Sequence, residues 1–434
     1  MRRRLALGRD LALLLILTSC GSDSLGPEQP RGDSARQATP APGKPLATPN
    51  VLVRVGLEQV EADRGAPLKG KKVGLVAHAA SVTADGRRAA DVLRLQGVEV
   101  VRLFAPEHGA LGKAAAGEKV ADAVDPIARV PIVSLYGETR KPTPEQLEGL
   151  DALVFDLQDG GVRFYTYVST MILCLEAAAE KGIEFVVLDR PNPLGGERVE
   201  GPESDPREVL PASFVNMAPG PLVHGLTAGE MAQFVNASRS QPAKLTVVPM
   251  KGWKRSMSWA ATGLPWVAPS PNLRSAEAAL VYPGTALLEG TNVSEGRGTE
   301  TPFLLVGAPW LKPEAVIPNL PAGGLTLETA TFTPAASAAA PTPKHVDEPS
   351  AGIRIAVKDA AAVQPYRFGV GLLAALKTQA GFEWLRDGDA IDRLVGTKKL
   401  RQAIDRGDPV DAIVASDLPA IEAFRKARQG SLLY

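Results

Sequence analysis

Short apolar runs recur along the first half of the chain from Lys72 onward. They lie at Val73–Ala77, Val98–Phe104, Val130–Leu135, Ala152–Leu157 and Ile183–Leu188. Most of the gaps between them have the 3.6-residue period of a helix, most clearly at Tyr167–Lys181, which Gly182 should end. Strands that alternate with helices are typical of a parallel sheet. The pattern therefore predicts an α/β protein with a Rossmann-like parallel-sheet domain over residues 51–223.

The pattern changes after residue 223, and we expect a smaller α+β C-terminal domain over residues 224–434. Thr227 and Glu230 form a capping box that should open a helix, and Leu245–Val248 has the pattern of a strand. Helical patterns return at Gly369–Lys377, Lys398–Arg406 and Pro419–Arg428. Residues 331–350 are rich in Ala, Pro and Thr, which predicts a surface insertion.

The first fifty residues have the composition of a targeting segment and a tether. An arginine-rich start precedes the apolar run Leu11–Leu17, and Leu17-Thr18-Ser19-Cys20 has the form of a lipobox. Residues 1–20 are therefore predicted to be a lipoprotein signal peptide that ends at Cys20, the lipidated residue. An ordinary secretory signal with a chance cysteine is the alternative. Residues 21–50 are Pro-rich and nearly free of large apolar residues, so we expect a disordered tether.

These features predict an exported lipoprotein that faces the periplasm. Gly21 follows Cys20 at the position where a lipoprotein retained in the inner membrane typically carries Asp. We therefore expect anchoring in the outer membrane, with the lipid as the only membrane contact.

Charge and motifs disfavour several classes of function. Lys plus Arg and Asp plus Glu both total 48, so no positive excess indicates a nucleic-acid partner. The segment Ala77–Ser81 after the first predicted strand has no glycine for a dinucleotide turn, and no Walker motif occurs, so we expect no nucleotide cofactor. The 4 histidines lack zinc-site spacing, so we expect no catalytic metal. A magnesium site at Asp156, Asp159 and Asp189 is the lesser alternative.

Polar side chains follow each of the five predicted strands. They are His78, Glu107, His108, Tyr136, Asp156, Gln158, Asp159, Asp189, Arg190 and Asn192. Because parallel strands place their carboxyl ends on one rim, these residues should converge there. The alternative is that strand ends are simply polar.

Glu107 has the best position for a general acid. The apolar Leu103, Phe104 and Pro106 beside it could supply the burial that keeps a carboxylic acid protonated near neutral pH. His108 could be its hydrogen-bond partner or a second acid/base group. A loop salt bridge is the alternative for Glu107.

Two further segments carry groups suited to a polar ligand. Arg163 could pair with a carboxylate, while Tyr165 and Tyr167 suit sugar rings, although the aromatic rings could also be core. The glycine-rich stretch Leu288–Thr299 contains Asn292, Glu295 and Arg297, and Glu289 or Glu295 could be a second carboxylate. Trp266, Ser270 and Asn272 are further candidates for lining the same site.

Seven ordered motifs resemble one known family. They are FAPEHG at Phe104–Gly109, SLYG with RKPT at Ser134–Thr143, VFDLQDGGVRFYTY at Val154–Tyr167, VVLDRPNPLGG at Val186–Gly196, HGLTAGEMA at His224–Ala232, LPWVAPSPNL at Leu264–Leu273 and LLEGTNVSEGRGTETPF at Leu287–Phe303. Together they resemble the NamZ-type exo-β-N-acetylmuramidases of bacterial cell-wall recycling. The resemblance implies release of N-acetylmuramic acid from non-reducing ends of peptidoglycan fragments, with the family's catalytic glutamate at Glu107. The chain departs from the family pattern at Ala77–Ala80, so the resemblance implies no role for His78.

Several mechanisms remain open at this point. Arg163 or Arg297 could hold the lactyl carboxylate of muramic acid. The reaction could retain or invert the anomeric configuration, or it could use the substrate's N-acetyl group with Asp156 or Asp159 as the positioning partner. A non-catalytic lipoprotein that binds cell-wall glycan is the rival hypothesis, and an esterase or amidase is a weaker one because no nucleophile elbow is present.

Overall fold

The computed structural model describes residues 52–208 and 213–434. The predicted signal peptide, Cys20 and the tether lie outside this range, so the predictions made for them are untested. The described residues belong to one compact unit. Within these two ranges, no helix has both the length and the apolar character needed to cross a bilayer.

A seven-stranded sheet forms the centre of the first domain. Its strands are β1 (Lys72–Ala77), β2 (Glu99–Ala105), β3 (Ala123–Val124), β4 (Pro131–Ser134), β5 (Ala152–Asp156), β6 (Glu184–Leu188) and β9 (Lys244–Val248). The spatial order is β3-β4-β2-β1-β5-β6-β9, and every pair is parallel except β3 with β4. The predicted α/β class with a mostly parallel sheet is therefore confirmed.

Helices cover the sheet and connect its strands. They are α1 (Gly56–Ala62), α2 (Ala89–Leu95), α3 (Thr166–Lys181) and α4 (Ala228–Ala237). Helix α3 ends at Gly182, whose φ of 76° is left-handed, and Thr227 caps α4 in the predicted capping box with Glu230. A short antiparallel pair, β7 (Glu200–Glu203) and β8 (Pro221–Val223), precedes α4.

The boundary expected between residues 223 and 224 is too early. Strand β9 pairs with β6 from Glu184 opposite Lys244 to Leu188 opposite Val248, so α4 and β9 belong to the first sheet. The sequence pattern missed this because a single strand after a capped helix fits either domain equally well.

The C-terminal part combines a small antiparallel sheet with helices. The sheet order is β10 (Leu305–Ala308), β12 (Ser350–Val357) and β11 (Leu325–Phe332). The helices of this part are α5 (Trp259–Thr262), α6 (Ala276–Thr285), α7 (Pro313–Val316), α8 (Pro365–Lys377), α9 (Asp389–Val395), α10 (Lys399–Arg406), α11 (Val410–Ser416) and α12 (Leu418–Ala427). Short 3-10 helices lie at Ala286–Gly290, Ile317–Asn319, Leu385–Gly388 and Arg428–Ser431.

Helix α6 packs closely against α8. A Cβ atom on Gly284 would lie 2.2 Å from the Pro365 carbonyl oxygen, so the two backbones can approach only because Gly284 has no side chain. This contact joins the helix that precedes the glycine-rich loop to the C-terminal helices.

Residues 331–350 do more than form a surface insertion. Their first two residues complete β11, which pairs with β12 up to Phe332 opposite Ser350. The connection that follows, residues 333–349, folds over the glycine-rich loop, where Ala335 donates its backbone N–H to the Gly298 carbonyl. Most residues of this segment are exposed, and the segment also contacts the glycine-rich loop.

The sheet also determines where an open cleft can lie. Strand order reverses between β1 and β5, which is the usual ligand position in such sheets. Here Trp259 and Leu264 cover that crevice and leave a cavity of only about 20 Å³. A second cleft, of about 290 Å³, lies to one side, beyond the ends of β2 and β4.

Candidate active site

A cleft of about 290 Å³ lies where the ends of β2, β4 and β5 meet the C-terminal part. The sheet domain and the segments after residue 213 both contribute side chains. The lining residues are Glu107, His108, Ala116, Gly117, Tyr136, Phe164, Tyr165, Thr166, Val215, Ser270, Tyr282, Glu289, Arg297, Phe303 and Leu394. The cleft thus contains carboxylates, a guanidinium, an imidazole and several aromatic rings.

Glu107 is fixed by two hydrogen bonds at the edge of this cleft. The Gly117 backbone N–H donates to its Oε1 atom at 2.7 Å, and the Thr166 hydroxyl donates to its Oε2 atom at 2.6 Å. Glu107 is 7% exposed and lines the cleft. The two hydrogen bonds hold its carboxyl group in a defined orientation. The strand-end prediction placed Glu107 correctly.

His108 has a strained backbone that turns the chain directly after Glu107. Its φ is 70°, in the left-handed region, and its Nδ1 atom lies 2.8 Å from the Ala114 carbonyl oxygen. Burial lowers the pKa of His108, and the neighbouring Glu107 carboxylate opposes that shift. A neutral imidazole therefore lines the cleft beside Glu107.

Aromatic rings form one wall of the cleft. Tyr165 packs edge-on against Tyr282 with ring centroids 6.0 Å apart, and Tyr282 packs against Phe303 at 4.7 Å. Burial raises the pKa of Tyr165 well above its ordinary range, so its hydroxyl remains a donor. That hydroxyl is buried without a hydrogen-bond partner among the described residues.

Tyr136 lies on the cleft close to the carboxylate. Burial, reinforced by the Glu107 charge, raises the pKa of Tyr136 to about 12. By contrast Tyr167, which was predicted to bind substrate, is fully buried behind Tyr165 and donates to the Pro269 carbonyl at 2.6 Å. Tyr167 therefore supports the wall and does not line the cleft.

A charged cluster lies beside this aromatic wall, where the Arg297 guanidinium is 5.1 Å from the centre of the Phe303 ring. Arg297 Nη2 lies 2.7 Å from Glu289 Oε1, and Arg297 Nε lies 3.0 Å from Glu295 Oε1. Burial alone would raise the pKa of Glu295, but the charges of Lys344 and Arg297 outweigh it and lower that pKa. Glu289 and Arg297 line the cleft, whereas Glu295 lies behind them.

Several predicted site residues support the fold instead. Asp156 is fully buried and accepts two hydrogen bonds from Arg190, at 2.6 and 2.9 Å, so it is not a free catalytic carboxylate. Asp189 accepts bonds from Thr227, the Gly229 N–H and Tyr434.

Three predicted amide side chains and Arg163 also bond to the protein backbone and so support the fold. Asn192 donates to the Leu226 carbonyl, Gln158 to those of Asp159 and Pro191, and Asn292 to that of Gly381. Arg163 is fully buried and donates to the carbonyls of Pro202, Gly220 and Val395. Burial lowers the pKa of Arg163 to about 10. Since its donors are occupied inside the protein, Arg163 cannot be the carboxylate clamp.

Asp159 lies below the cleft, outside its lining. Its Oδ2 atom accepts the Gly161 N–H at 2.7 Å, while its Oδ1 atom has no partner among the described residues. Burial raises the pKa of Asp159 to about 7. In the described ranges, no three His, Cys, Asp or Glu side chains are placed to hold a metal ion together.

Sequence reasoning missed other lining residues. Thr166, Tyr282, Phe303 and Leu394 follow no predicted strand and form no dense polar motif. Ser270 was anticipated and lines the cleft, whereas Trp266 packs against the core and Asn272 donates to the Ala339 carbonyl. The only available signal for Thr166 was its place in the aromatic segment beside Tyr165.

Comparison with known proteins covers nearly the whole described chain. The sequence model of one protein family, the N-terminal domain of the exo-β-N-acetylmuramidase NamZ, matches residues 73–277. A second family model, the C-terminal domain of NamZ, matches residues 280–434. The chain is 42% identical over 388 residues to the peptidoglycan β-N-acetylmuramidase NamZ of Bacillus subtilis (strain 168), across 88% of this chain and 91% of the relative.

Two solved structures are also similar, both DUF1343 family proteins from Bacteroides fragilis NCTC 9343. The first is 31% identical with a TM-score of 0.77 and covers 89% of this chain and 100% of its own. The second is 30% identical with a TM-score of 0.71, and the match covers 88% of this chain and 99% of that structure's chain.

Proposed function

This chain belongs to the NamZ family of exo-β-N-acetylmuramidases, and we propose that it hydrolytically releases N-acetylmuramic acid from the non-reducing ends of peptidoglycan fragments. One observation carries the proposal. Glu107, within the FAPEHG motif, lines the cleft at the ends of β2, β4 and β5, with its carboxyl group held by Gly117 and Thr166. A glycoside hydrolase needs such a fixed carboxyl group beside the bond that it cleaves.

Glu107 acts as the general acid. It protonates the glycosidic oxygen as the bond to the anomeric carbon breaks, and water completes the hydrolysis. The Thr166 hydroxyl suits both charge states, since it donates to the carboxylate and can accept from the protonated acid. His108 beside Glu107 is neutral, because burial lowers the pKa of its imidazole.

The cleft fits one acidic sugar. Its volume of about 290 Å³ is near the lower end of ligand pockets, about 300–1,000 Å³, which suits one terminal sugar better than a long chain. Tyr165 and Tyr282 offer apolar ring faces to a pyranose. Arg297 is the guanidinium on the cleft wall, so it takes the lactyl carboxylate.

Glu289 is the second carboxylate on the cleft wall. Asp156, Asp159 and Glu295 do not line the cleft: Asp156 pairs with Arg190, Glu295 pairs with Arg297 and Lys344, and Asp159 is buried. Glu289 also pairs with Arg297, but it does line the cleft. We therefore assign Glu289 to the anomeric side of the sugar. NMR of the first-formed anomer distinguishes retention from inversion, and Glu289→Gln with unchanged turnover would exclude this assignment.

The decisive experiment pairs a chromogenic β-N-acetylmuramide with the corresponding N-acetylglucosaminide. We expect cleavage of the muramide alone, because only it carries the carboxylate that Arg297 recognises. Glu107→Gln should lower kcat about a thousandfold while binding persists. The matched control is Glu99→Gln, an exposed glutamate at the other end of β2, which should retain wild-type turnover.

Two results would contradict the proposal. Wild-type turnover by the Glu107→Gln variant would remove Glu107 from the acid role. Binding of muropeptides without cleavage by the wild-type protein would favour a glycan-binding lipoprotein instead.

The site of action follows from the N-terminal sequence. We propose that Cys20 is lipidated and that the protein is held in the outer membrane, facing the periplasm, which places it beside the cell wall. Metabolic labelling with a fatty acid tests this: label should enter the wild-type protein and be absent from Cys20→Ala. Equal labelling of both would exclude Cys20.

A further inference from the structure

Lys344 lies on the hairpin connection that covers the glycine-rich loop. From its position we infer that Lys344 is a positioning residue that neutralises Glu295 and so keeps Arg297 available to the carboxylate of an acidic sugar. The inference rests on the proposed function and adds to it the residue that sets the charge of the sugar-binding wall.

The contacts of Lys344 are specific. Its Nζ atom donates to the carbonyl oxygens of Leu288 at 2.7 Å and Val293 at 3.0 Å, and to Glu295 Oε2 at 3.0 Å. Three acceptors use all three N–H donors of the ammonium group. Lys344 thereby ties the start of the loop to the carboxylate near its end.

Glu295 connects Lys344 to the cleft. Its Oε2 atom faces Lys344, while its Oε1 atom lies 3.0 Å from Arg297 Nε. Because Glu295 is only 4% exposed, solvent screens the charge of its carboxylate poorly. The two cations Arg297 and Lys344 compensate that charge. Because Lys344 shares the negative charge of Glu295, that carboxylate does not fully neutralise Arg297.

The charge balance explains why this matters for an anion. Two glutamates, Glu289 and Glu295, face two cations, Arg297 and Lys344, so the wall is neutral as a group. Loss of Lys344 would leave one excess negative charge next to Arg297. An approaching carboxylate would then be repelled, whereas a neutral sugar would not.

Other contacts hold the connection in place. The His345 Nε2 atom lies 2.7 Å from the Asn292 carbonyl oxygen, Asn272 donates to the Ala339 carbonyl at 2.8 Å, and Ala335 donates to Gly298. These bonds fix the connection that carries Lys344. The geometry of the glycine-rich loop therefore does not depend on Lys344 alone.

The test compares a chromogenic muramide that has a free lactyl carboxylate with its methyl ester. For Lys344→Met we expect kcat/KM for the acid to fall about tenfold or more, mainly through KM, because one charge near a partly buried ligand is uncompensated. The ester should lose little. Lys344→Arg should keep the wild-type ratio of the two substrates, and Lys358→Met, an exposed lysine after β12, is the matched control.

A double variant separates charge from structure. Adding Glu295→Gln to Lys344→Met restores the neutral wall, so preference for the acid should return. Equal losses on acid and ester, with no return in the double variant, would overturn the inference and leave Lys344 a structural brace. Thermal unfolding checks that each variant is folded. Failure of the wild-type protein to cleave either substrate would instead refute the proposed function.

Discussion

The Thr166 hydroxyl makes a single contact that should matter more for catalysis than for binding. It donates to Glu107 Oε2, and hydrogen bonds to charged groups contribute about 1.5–3 kcal/mol. Thr166→Val keeps the shape and removes the donor, so we expect kcat to fall about tenfold or more with KM little changed. Steady-state kinetics on the chromogenic muramide measures both. Thr166→Ser keeps the hydroxyl and should retain most activity; if valine and serine behave alike, Thr166 has no role in orienting Glu107.

Residue type alone could not separate catalytic from structural polar groups. Glu107 follows buried β2 and Asp156 is the last residue of buried β5. Glu107 accepts bonds from a loop N–H and a hydroxyl, whereas Asp156 is neutralised by Arg190. The difference lies in the bonding partners of each carboxylate. Thr166 and Arg190 follow other strands, so the sequence around Glu107 or Asp156 does not reveal them. Likewise Arg163 and Arg297 are both arginines beside aromatic residues, and only the structure shows that carbonyls saturate Arg163.

At the scale of elements, Arg163 joins segments that the sheet does not connect. Its guanidinium holds the carbonyls of Pro202, Gly220 and Val395, which lie on β7, just before β8 and at the end of α9. Arg163→Leu would leave these buried carbonyls without donors, so we expect the free energy of unfolding to drop by about 3 kcal/mol or more. Urea denaturation measures the loss, with the exposed Arg207→Leu as the control that should change stability little. Equal stability of the two variants would contradict this bridging role.

Elements with a clear sequence signal were predictable. The five predicted strands are short continuous apolar runs, and α3 has the period of a helix, so the sequence of a single chain displays both. Helix α6 is nearly all apolar, AEAALVYPGT, because it packs on several sides, so no polar face reveals its period. The contacts of the 333–349 connection were also not predictable. Its Ala and Pro composition indicates a surface loop, but it does not show that Ala335 and Lys344 bond to the glycine-rich loop or that Ala339 accepts from Asn272.

At the scale of the whole molecule, buried histidines couple unfolding to pH. His224 follows β8, its Nδ1 atom accepts the Leu226 N–H at 3.1 Å, and its carbonyl accepts from Arg428. Burial, reinforced by the charges of Arg428 and Arg163, lowers the pKa of His224 to about 3. In the unfolded chain the imidazole regains its ordinary pKa, about 6.5. Between these values the unfolded chain binds a proton that the native protein does not, so this group's contribution to stability is present above pH 6.5 and is lost as the pH falls.

The variant His224→Gln isolates that contribution from every other titrating group. The difference in unfolding free energy between wild type and variant should shrink by about 1.4 kcal/mol for each pH unit below about 6, because one proton is linked to unfolding. Urea denaturation of both proteins at pH 7.5, 6, 5 and 4 gives this difference directly. Above pH 7 the difference should be constant, since neither state then protonates the imidazole. A difference that stays constant down to pH 4 would mean that His224 becomes charged within the native protein, which its burial against Arg428 opposes.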